Sequence, residues 1–536
     1  MTKTKRWLPS LISFAIALLF GVALGSVVQT QFNLNALQGI GVEIPLAQRL
    51  ETTLIDLVSF APIYALLFSV GFLLSQLAAI VLCKWLGGRF LALLSTGAAA
   101  LGLLVSIKIV DAFAPMPTFI AATRGTLGLV AMLITAALAG WLFAVLKKRS
   151  ERYSSAPKVR NASGLYSVLL VGGVSGLMTL VPPVQAQAEP SYHVATFADS
   201  LEYPWSLAFL PDGRLLVTER PGRLRLLGPD GDTLVASLSG MPAVYTGGNA
   251  GLFDILISPD FETDQKIFFS YACGTHEANH TCLGTGTLAD TRVENVTEIF
   301  RVQPSKKHFS HFGGRLAWLP DDTLILTLGD GFDYREQAQN LHNHIGSIVR
   351  LNQDGSVPDD NPFVGRDDAR PEIYSYGHRN VQGLLFDTQH QRLIAHEHGP
   401  RGGDEINIIK PGANYGWPMA TGGLDYNGAH ITPYHTYPGT ESALLEWTPS
   451  IAPSGMALYT GALFPQWQGD LFVGGLASRD VRRVHIDDEG TRATEVERLF
   501  GELGERIREV LMGPEGALYL LTDSPDGRVL RVTPQQ

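Results

Sequence analysis

Histidine is missing from the first 188 residues of this 536-residue chain, and basic side chains are in the minority after them. All 14 histidines follow Ala188, so a haem with two histidine ligands cannot lie in the first region. From Glu189 onward, 27 Lys and Arg stand against 46 Asp and Glu. That balance argues against a nucleic-acid surface, because phosphate contacts need clustered basic residues. The 56 glycines and 31 prolines follow no short period, which excludes a collagen-like or disordered chain.

The first region is instead rich in long apolar runs. Residues 1–188 carry 14 basic and only 5 acidic side chains, and four of their runs approach the ~20 apolar residues that cross a bilayer as a helix. These runs are Trp7 to Val28, Phe60 to Cys83, Phe90 to Ile107 and Thr126 to Leu146. Residues 1–150 are therefore predicted to form an α-helical membrane region of four spans.

A basic linker and a fifth, shorter apolar run occupy residues 151–188. The run Leu165 to Val181 ends in two prolines and the small-residue pattern Ala186-Gln187-Ala188. This arrangement resembles a signal peptide placed inside the chain. A permanent fifth span fits the same pattern, so cleavage near Ala188 is left open.

Basic residues predict the orientation of the spans. They precede the first run, lie between the second and third runs, and form a cluster after the fourth, so all three groups fall on one side. Lys108 and Arg124, in the loop predicted outside, are fewer and are accompanied by Asp111. Because basic loops stay in the cytoplasm, we expect an inner-membrane protein whose residues 189–536 lie on the periplasmic or extracellular side.

The second region has the signature of many short antiparallel strands. Six segments share one pattern of strand, tight turn, strand and polar or glycine-rich stop. They are Trp205 to Glu219, Gly251 to Tyr271, Gly314 to Asp330, Gln382 to Gly399, Gly455 to Leu476 and Ile507 to Asp523. A single sandwich does not explain six similar copies, so residues 189–536 are predicted to be an all-β six-bladed propeller. The polar stops are expected to gather near one end of its central channel.

Two of the three cysteines, Cys273 and Cys282, frame a ten-residue segment on a predicted loop. In an oxidising compartment, a disulfide is the first interpretation of this pair. His276 and His280 lie between them, so a metal site with two cysteine and two histidine ligands is the alternative.

The densest group of candidate catalytic residues lies between His311 and Tyr426. His311 as a base, Asp330 as an acid or orienting group and Arg379 as an anion clamp could support proton abstraction from a bound alcohol. Arg506 and Arg508 share one strand face, where they could grip a polyanionic ligand. A structural ion pair, a turn cap and a solvated basic face are the alternatives for these residues.

The motifs of this region carry a family resemblance. HFGGRL, GDG, RPEIYSYGHRNVQG, HEHGPRGGDEINIIKPGANYGWP, PSIAPSG and RIREVLMGPEGALYLLTD follow one another in this order. Over residues 190–534 they resemble the aldose sugar dehydrogenases of the soluble glucose dehydrogenase family, which depend on pyrroloquinoline quinone. That family is a six-bladed propeller. The resemblance does not extend to residues 1–188.

The resemblance implies roles for these residues. His311 would take the proton of the anomeric hydroxyl as hydride passes to the quinone, Asp330 would orient or assist it, and Arg379 would hold the quinone oxygens. Further contacts to the cofactor would come from Tyr426, Ala477, Ser478, Arg479, Arg506 and Arg508. Two calcium sites are implied, one from the carbonyls of Gly399 and Pro400 and one from Glu405 and the carbonyl of Tyr415.

One position departs from the family pattern. Asn249 stands where the family usually has Gln, and Ala250 replaces a glycine. The shorter amide reaches about one bond less far, so the cofactor or substrate contact expected of Asn249 is the one affected.

The leading hypothesis is a membrane-tethered enzyme that oxidises aldose sugars at C1 to lactones with pyrroloquinoline quinone and Ca²⁺. Its expected partners are the sugar, an electron acceptor such as the membrane quinone pool, and lipid, but no nucleic acid. A calcium-dependent lactonase or esterase on the same propeller is one alternative. A non-catalytic propeller that binds a glycan or a protein is the other.

Overall fold

The computed structural model of the chain describes residues 8–114, 116–154 and 192–535. The first two ranges are helical and the third contains every described strand. The predicted basic linker and fifth apolar run, with the pattern at Ala188, lie outside the described residues. The helices are α1 (Leu8–Gly39), α2 (Leu46–Ser59), α3 (Ala61–Trp85), α4 (Leu91–Phe113) and α5 (Thr126–Ser154), with a short α6 (Phe261–Asp264) in the propeller.

Four of these helices, α1, α3, α4 and α5, are long and apolar enough to cross a membrane, which confirms the four predicted runs and suggests membrane anchoring. Helix α1 continues past the predicted end at Val28 because its polar residues Gln29, Thr30 and Asn33 are buried rather than solvated. Helix α2 was not predicted. It is amphipathic, and one stripe of it leaves Leu50 and Leu54 exposed, as in helices that lie along a membrane surface.

The second region is a ring of six four-stranded antiparallel sheets, so the predicted six-bladed propeller is confirmed. The first three blades contain β2 (Pro204–Phe209), β3 (Leu215–Glu219), β4 (Arg223–Leu227), β5 (Thr233–Val235), β6 (Leu252–Ile257), β7 (Lys266–Gly274), β8 (Asn279–Leu288), β9 (Val293–Arg301), β10 (Gly313–Trp318), β11 (Leu324–Leu328), β12 (Ser347–Leu351) and β13 (Ile373–Tyr376). Blades four and five contain β14 (Val381–Asp387), β15 (Arg392–Glu397), β16 (Asp404–Ile409), β17 (Leu445–Trp447), β18 (Pro453–Leu458), β19 (Leu471–Gly475), β20 (Val481–Ile486) and β21 (Ala493–Leu499).

The sixth blade closes the ring with strands from both ends of the propeller. It contains β22 (Ile507–Met512), β23 (Leu518–Thr522), β24 (Gly527–Pro534) and, outermost, β1 (Tyr192–Leu201). Val194 of β1 pairs with Val532 of β24 in an antiparallel register. Pairing of this kind completes the fourth strand of the blade and joins the first strand of the propeller to the last.

Each predicted repeat corresponds to the first two strands of one blade. Alternation places one apolar face of each sheet against the next, and a separate core cluster fills each of the six spaces between neighbouring blades. The innermost strands of adjacent blades contact each other around the channel. The turns that follow the second strands therefore meet at one mouth of the ring.

We expect Leu530→Ala to destabilise the propeller, because Leu530 is buried in the core between blades five and six. Truncation of a buried leucine costs about 2–5 kcal/mol of unfolding free energy. Thermal unfolding of the full chain measures the effect. Thr533→Ala is the control, because Thr533 lies on the same strand but is partly exposed. An equal loss of stability in both variants would contradict the stabilising role of Leu530 burial.

Candidate active site

Two adjoining cavities open at the mouth of the ring. The central cavity encloses roughly 780 Å³, part of it open to solvent, and the mouth cavity roughly 350 Å³. His311 and Tyr426 line both. The central cavity is also lined by Trp205, Arg220, Asn249, His398, Arg506 and Arg508. The mouth cavity is also lined by Asp330, Phe332, Arg379, Pro400, Trp417 and Asp425 of the propeller, and by Thr118, Ala121 and Arg124 of the helical region.

The wall shared by the cavities is organised by a histidine and a buried carboxylate. His311 precedes β10, and Asp330 follows β11 of the same blade. The imidazole Nδ1 lies 2.6 Å from Asp330 Oδ1. Asp330 also accepts hydrogen bonds from the Phe332 backbone N–H at 2.8 Å and from the Trp417 indole at 2.8 Å. His311 has a φ of 50°, a conformation that a non-glycine residue keeps only where its surroundings impose it.

This pairing leaves one imidazole nitrogen available as a base. Because ionised Asp330 accepts at Nδ1, that nitrogen carries the proton and Nε2 keeps its lone pair. Nε2 has no hydrogen-bond partner within the described part of the chain. Burial and the positive charge of Arg379 lower the pKa of His311, so the imidazole is neutral near pH 7. Although burial opposes its ionisation, His311 and Arg379 hold the pKa of Asp330 below its usual value.

Arg379 lies beside this pair and is fixed by backbone. Its guanidinium donates to the carbonyls of His398 at 3.0 Å and Gly399 at 2.7 Å, and it reaches the Tyr426 hydroxyl at 3.4 Å. The Arg379 carbonyl accepts from the Asp330 backbone N–H. A fixed cation therefore stands next to the histidine, where it would stabilise negative charge that develops on a ligand.

Arg506 and Arg508 lie in the wall of the central cavity and share one carboxylate. Arg506 donates to Asp523 at 2.8 Å, and Arg508 approaches the same carboxylate at 3.4 Å. Burial opposes ionisation of Asp523, but the two guanidinium groups lower its pKa to about 2. Arg508 Nε is buried and has no hydrogen-bond partner among the described residues. Arg508 thus keeps an unused donor beside the central cavity.

The other expected cofactor contacts differ in placement. Asn249 lines the central cavity. The turn formed by Ala477, Ser478 and Arg479 does not line this cavity, although the adjacent Leu476 does. Ser478 instead hydrogen-bonds Asp480, and Arg479 donates to the Gly504 carbonyl. The contact of this turn with a cofactor stays a prediction.

The residues expected to bind calcium lie on two sides of Arg379. Pro400 lines the mouth cavity, whereas Gly399, Glu405 and Tyr415 line a smaller cavity of about 240 Å³ together with Glu397. Burial and repulsion from Glu397 raise the pKa of Glu405 to about 8. The carboxylates of Glu397 and Glu405 and several carbonyls are a donor set suited to a hard cation.

Cys273 and Cys282 are joined by a disulfide, with 6.0 Å between their Cα atoms. Their sulfur atoms are therefore not metal ligands. His276 contacts the Tyr245 hydroxyl, and His280 contacts the Val302 carbonyl. These contacts give both histidines structural partners.

Trp417 and Glu397, which contact the candidate site residues, were not assigned from the sequence. Trp417 donates to Asp330, and Glu397 accepts from His378 and from the Arg379 backbone. Both fall in glycine-rich motifs, NYGWP and HEHG, which were the available signal. His396 and His398 each contact a carbonyl of the next blade.

Comparisons with known proteins agree with this architecture. Residues 201–531 match the family model described as Glucose / Sorbosone dehydrogenase. Aldose sugar dehydrogenase YliI of Escherichia coli is 42% identical over 354 residues, which cover 65% of this chain and 94% of that protein. The crystal structure of the soluble aldose sugar dehydrogenase of Escherichia coli in its apo form is 41% identical, with a TM-score of 0.62 over 64% of this chain and all of that one.

A third comparison involves a structure with a bound cofactor. The aldose sugar dehydrogenase of Streptomyces coelicolor in its PQQ-bound form is 29% identical, with a TM-score of 0.52 over 65% of this chain and all of that one. Since the family model covers more than half of the residues, and His311, Asp330 and Arg379 lie within it, this chain belongs to the glucose/sorbosone dehydrogenase family.

Proposed function

We propose that this chain is a membrane-attached dehydrogenase that oxidises aldose sugars at C1 to lactones with pyrroloquinoline quinone and Ca²⁺. One observation carries the proposal. His311, whose Nε2 has no partner among the described residues, lines two adjoining cavities, one lined by paired arginines and the other by Arg379 and Asp330. A relative with bound PQQ supports the cofactor, and relatives named aldose sugar dehydrogenase support the substrate.

The donor set of the central cavity fits this cofactor, which is an aromatic quinone with three carboxylates. Arg506 and Arg508 would hold carboxylates by charge-assisted hydrogen bonds, and the orphaned Nε of Arg508 supplies a donor for them. Asn249 and Tyr426 would add contacts from the cavity wall. Arg379 would face the quinone oxygens from the mouth side.

His311 would act as the general base. Its Nε2 would accept the proton of the C1 hydroxyl, while Asp330 keeps the ring orientation and stabilises the imidazolium that forms. When bound, the quinone supplies the two-electron acceptor to which the C1 hydrogen passes as hydride. Arg379 would stabilise the negative charge that appears beside it.

Calcium would occupy the oxygen-rich positions next to Arg379. The carbonyls of Gly399 and Pro400 would bind one ion, next to the cofactor. Glu405 and the carbonyl of Tyr415 would bind a second, structural ion. The mutual repulsion of Glu397 and Glu405 supports a cation at the second position, because a dication offsets this repulsion.

The helical region would anchor the enzyme in the inner membrane with the propeller on the periplasmic or extracellular side. The basic residues of the loops support this orientation. The propeller contacts the bundle at the end formed by the α4–α5 connection, which lies opposite the basic ends of α3 and α5. The electron acceptor would then be a carrier near the membrane, such as the quinone pool.

Reconstitution tests the proposed function. Full-length protein supplied with Ca²⁺ and pyrroloquinoline quinone should reduce an artificial dye when an aldose is added. His311→Gln should bind the cofactor, as followed by an absorbance titration, yet lose about 10²–10⁴-fold in kcat because the base is gone.

Three results would contradict the proposal. The first is that protein shown to hold the quinone fails to reduce the dye. The second is full turnover by His311→Gln, and the third is hydrolysis of a lactone that needs calcium but no quinone. The last result would favour the lactonase alternative.

Arg508→Gln should weaken cofactor binding without unfolding the propeller. Loss of hydrogen bonds to a charged group costs about 1.5–3 kcal/mol, which is roughly a 10- to 150-fold rise in Kd. Arg498→Gln is the control, because Arg498 is an exposed arginine of blade five that pairs with Glu495. Equal cofactor affinity in the two variants would refute the role of Arg508.

The pH profile of kcat/KM should report His311. Because burial and Arg379 lower its pKa from 6.5, the active neutral form persists to lower pH, and the acid limb should have its midpoint below 6.5. Asp330→Asn removes a carboxylate that raises this pKa, so the limb should move to still lower pH while kcat falls. A shift to higher pH would contradict the assignment.

A further inference from the structure

The helical region contributes directly to the mouth cavity. Three residues of the connection between α4 and α5, Thr118, Ala121 and Arg124, line this cavity opposite His311 and Asp330. We call residues 118–124 the roof segment. A membrane anchor that only tethered the propeller would have no reason to reach its catalytic mouth.

An ion pair fixes the roof segment to the propeller. The Arg124 guanidinium donates two hydrogen bonds to the Glu336 carboxylate, at 3.0 and 3.1 Å, and a third to the Asp333 carbonyl. Thr118 donates to the Asp333 carboxylate at 3.0 Å. Bidentate pairs between arginine and carboxylate are the geometrically specific kind of ion pair, and both side chains here are largely buried.

A second polar contact ties helix α2 to the propeller. The fully buried Asp56 accepts hydrogen bonds from both the backbone N–H and the imidazole of His430, each at 2.9 Å. Its other oxygen accepts from Thr30 of α1 at 2.6 Å. The Asn33 amide adds a bond to the His430 carbonyl. A carboxylate removed from water in this way needs these donors.

Close backbone packing completes the interface. A Cβ on Gly428 would lie 2.8 Å from the Ser59 carbonyl oxygen, and its φ is 85°, so a side chain is excluded there. The end of α1 and the following residues bury Leu34 and Val42 against Met419 of the propeller.

The propeller loops that make these contacts also carry the site. Asp333 and Glu336 follow Asp330 directly, and His430 belongs to the loop that carries Tyr426. We propose that the roof segment is a wall of the sugar-binding cavity, locked there by Arg124 and Asp56, and that it restricts the enzyme to short sugars. This inference rests on the proposed function.

The size of the cavity supports the restriction. Its 350 Å³ include space open to solvent, and the room left inside it is only about 30 Å³, far below the roughly 300–1,000 Å³ typical of ligand pockets. Even a monosaccharide with C1 at His311 would therefore contact the roof segment. Longer sugars would need the roof segment to move away.

Thiol labelling tests the roof without turnover. Ala121→Cys places a thiol in the cavity wall of the full-length protein, while Cys83 is buried and the other two cysteines are joined. A maleimide–polyethylene glycol reagent should label this thiol at least about tenfold more slowly than the thiol of Ser442→Cys, which replaces an exposed serine, because reaction at the wall requires local opening. Combining Ala121→Cys with Arg124→Ala or with Asp56→Ala should abolish this protection from labelling, so that the Ala121→Cys thiol reacts as fast as that of Ser442→Cys.

Sugar selectivity tests the consequence. The ratio of kcat/KM for maltotriose to that for glucose should rise about tenfold or more in Arg124→Ala and in Asp56→Ala. Asp56 lies outside the cavity, so a rise there cannot come from a lost sugar contact. Arg49→Ala and Glu51→Ala are the controls. Among the described residues, the Arg49 side chain bonds only to side chains of the helical region, and Glu51 is exposed on α2.

The outcomes separate the two proposals. Fast labelling of Ala121→Cys in the otherwise unchanged protein would overturn the roof, as would protection that survives both docking variants. An unchanged sugar ratio in active docking variants would overturn the size restriction. Protein inactive toward every sugar would contradict the proposed function and sugar selection with it, whereas labelling would still decide whether the roof segment covers the mouth.

Discussion

The Asp330 carboxylate is the interaction on which the mouth of the propeller depends. It accepts hydrogen bonds from the His311 imidazole, the Phe332 backbone and the Trp417 indole, so three separate segments are held by one buried charge. Such a group is costly to bury unless each lone pair is used. The three hydrogen bonds to Asp330 fix the tautomer of His311, the start of the loop after β11 and the position of the motif that contains Trp417.

That arrangement extends outward to the helical region. The loop that begins at Phe332 reaches Asp333 and Glu336, which receive Thr118 and Arg124. A change in the position of Asp330 would therefore be felt at the docking interface, and the reverse holds as well. Packed elements of this kind transmit small shifts because close-packed interiors do not deform continuously.

The fold was predictable where a residue pattern repeats. The candidate site was predictable where its residues lie close together in sequence motifs. Alternating apolar residues and tight turns identified all six blades, and long apolar runs identified four helices, because burial in a sheet or in lipid leaves a periodic trace. His311, Asp330 and Arg379 stood out because each lies in a glycine-rich motif. The turn at Ala477–Arg479 was expected at the cavity but lies outside its wall, since its side chains bond locally.

The docking of the two regions was not predictable from one sequence. Arg124 and Glu336 are separated by 212 residues, and Asp56 and His430 by 374, so no local pattern joins them. From the sequence, Arg124 was considered only as a basic residue of a loop, in the prediction of membrane orientation. Helix α2 was missed because its apolar residues lie in a stripe at helical spacing and not in a long run.

The closing strand has a consequence for synthesis. β1 is the first strand of the ring to be made, whereas its partner β24 is the last of the described strands. Until β24 has been made, β1 cannot pair, and its backbone groups stay open. Long-range pairing of this type is slow and leaves a nascent chain open to association with other strands. Strand β1 is thus the part of the ring that most needs shelter during synthesis.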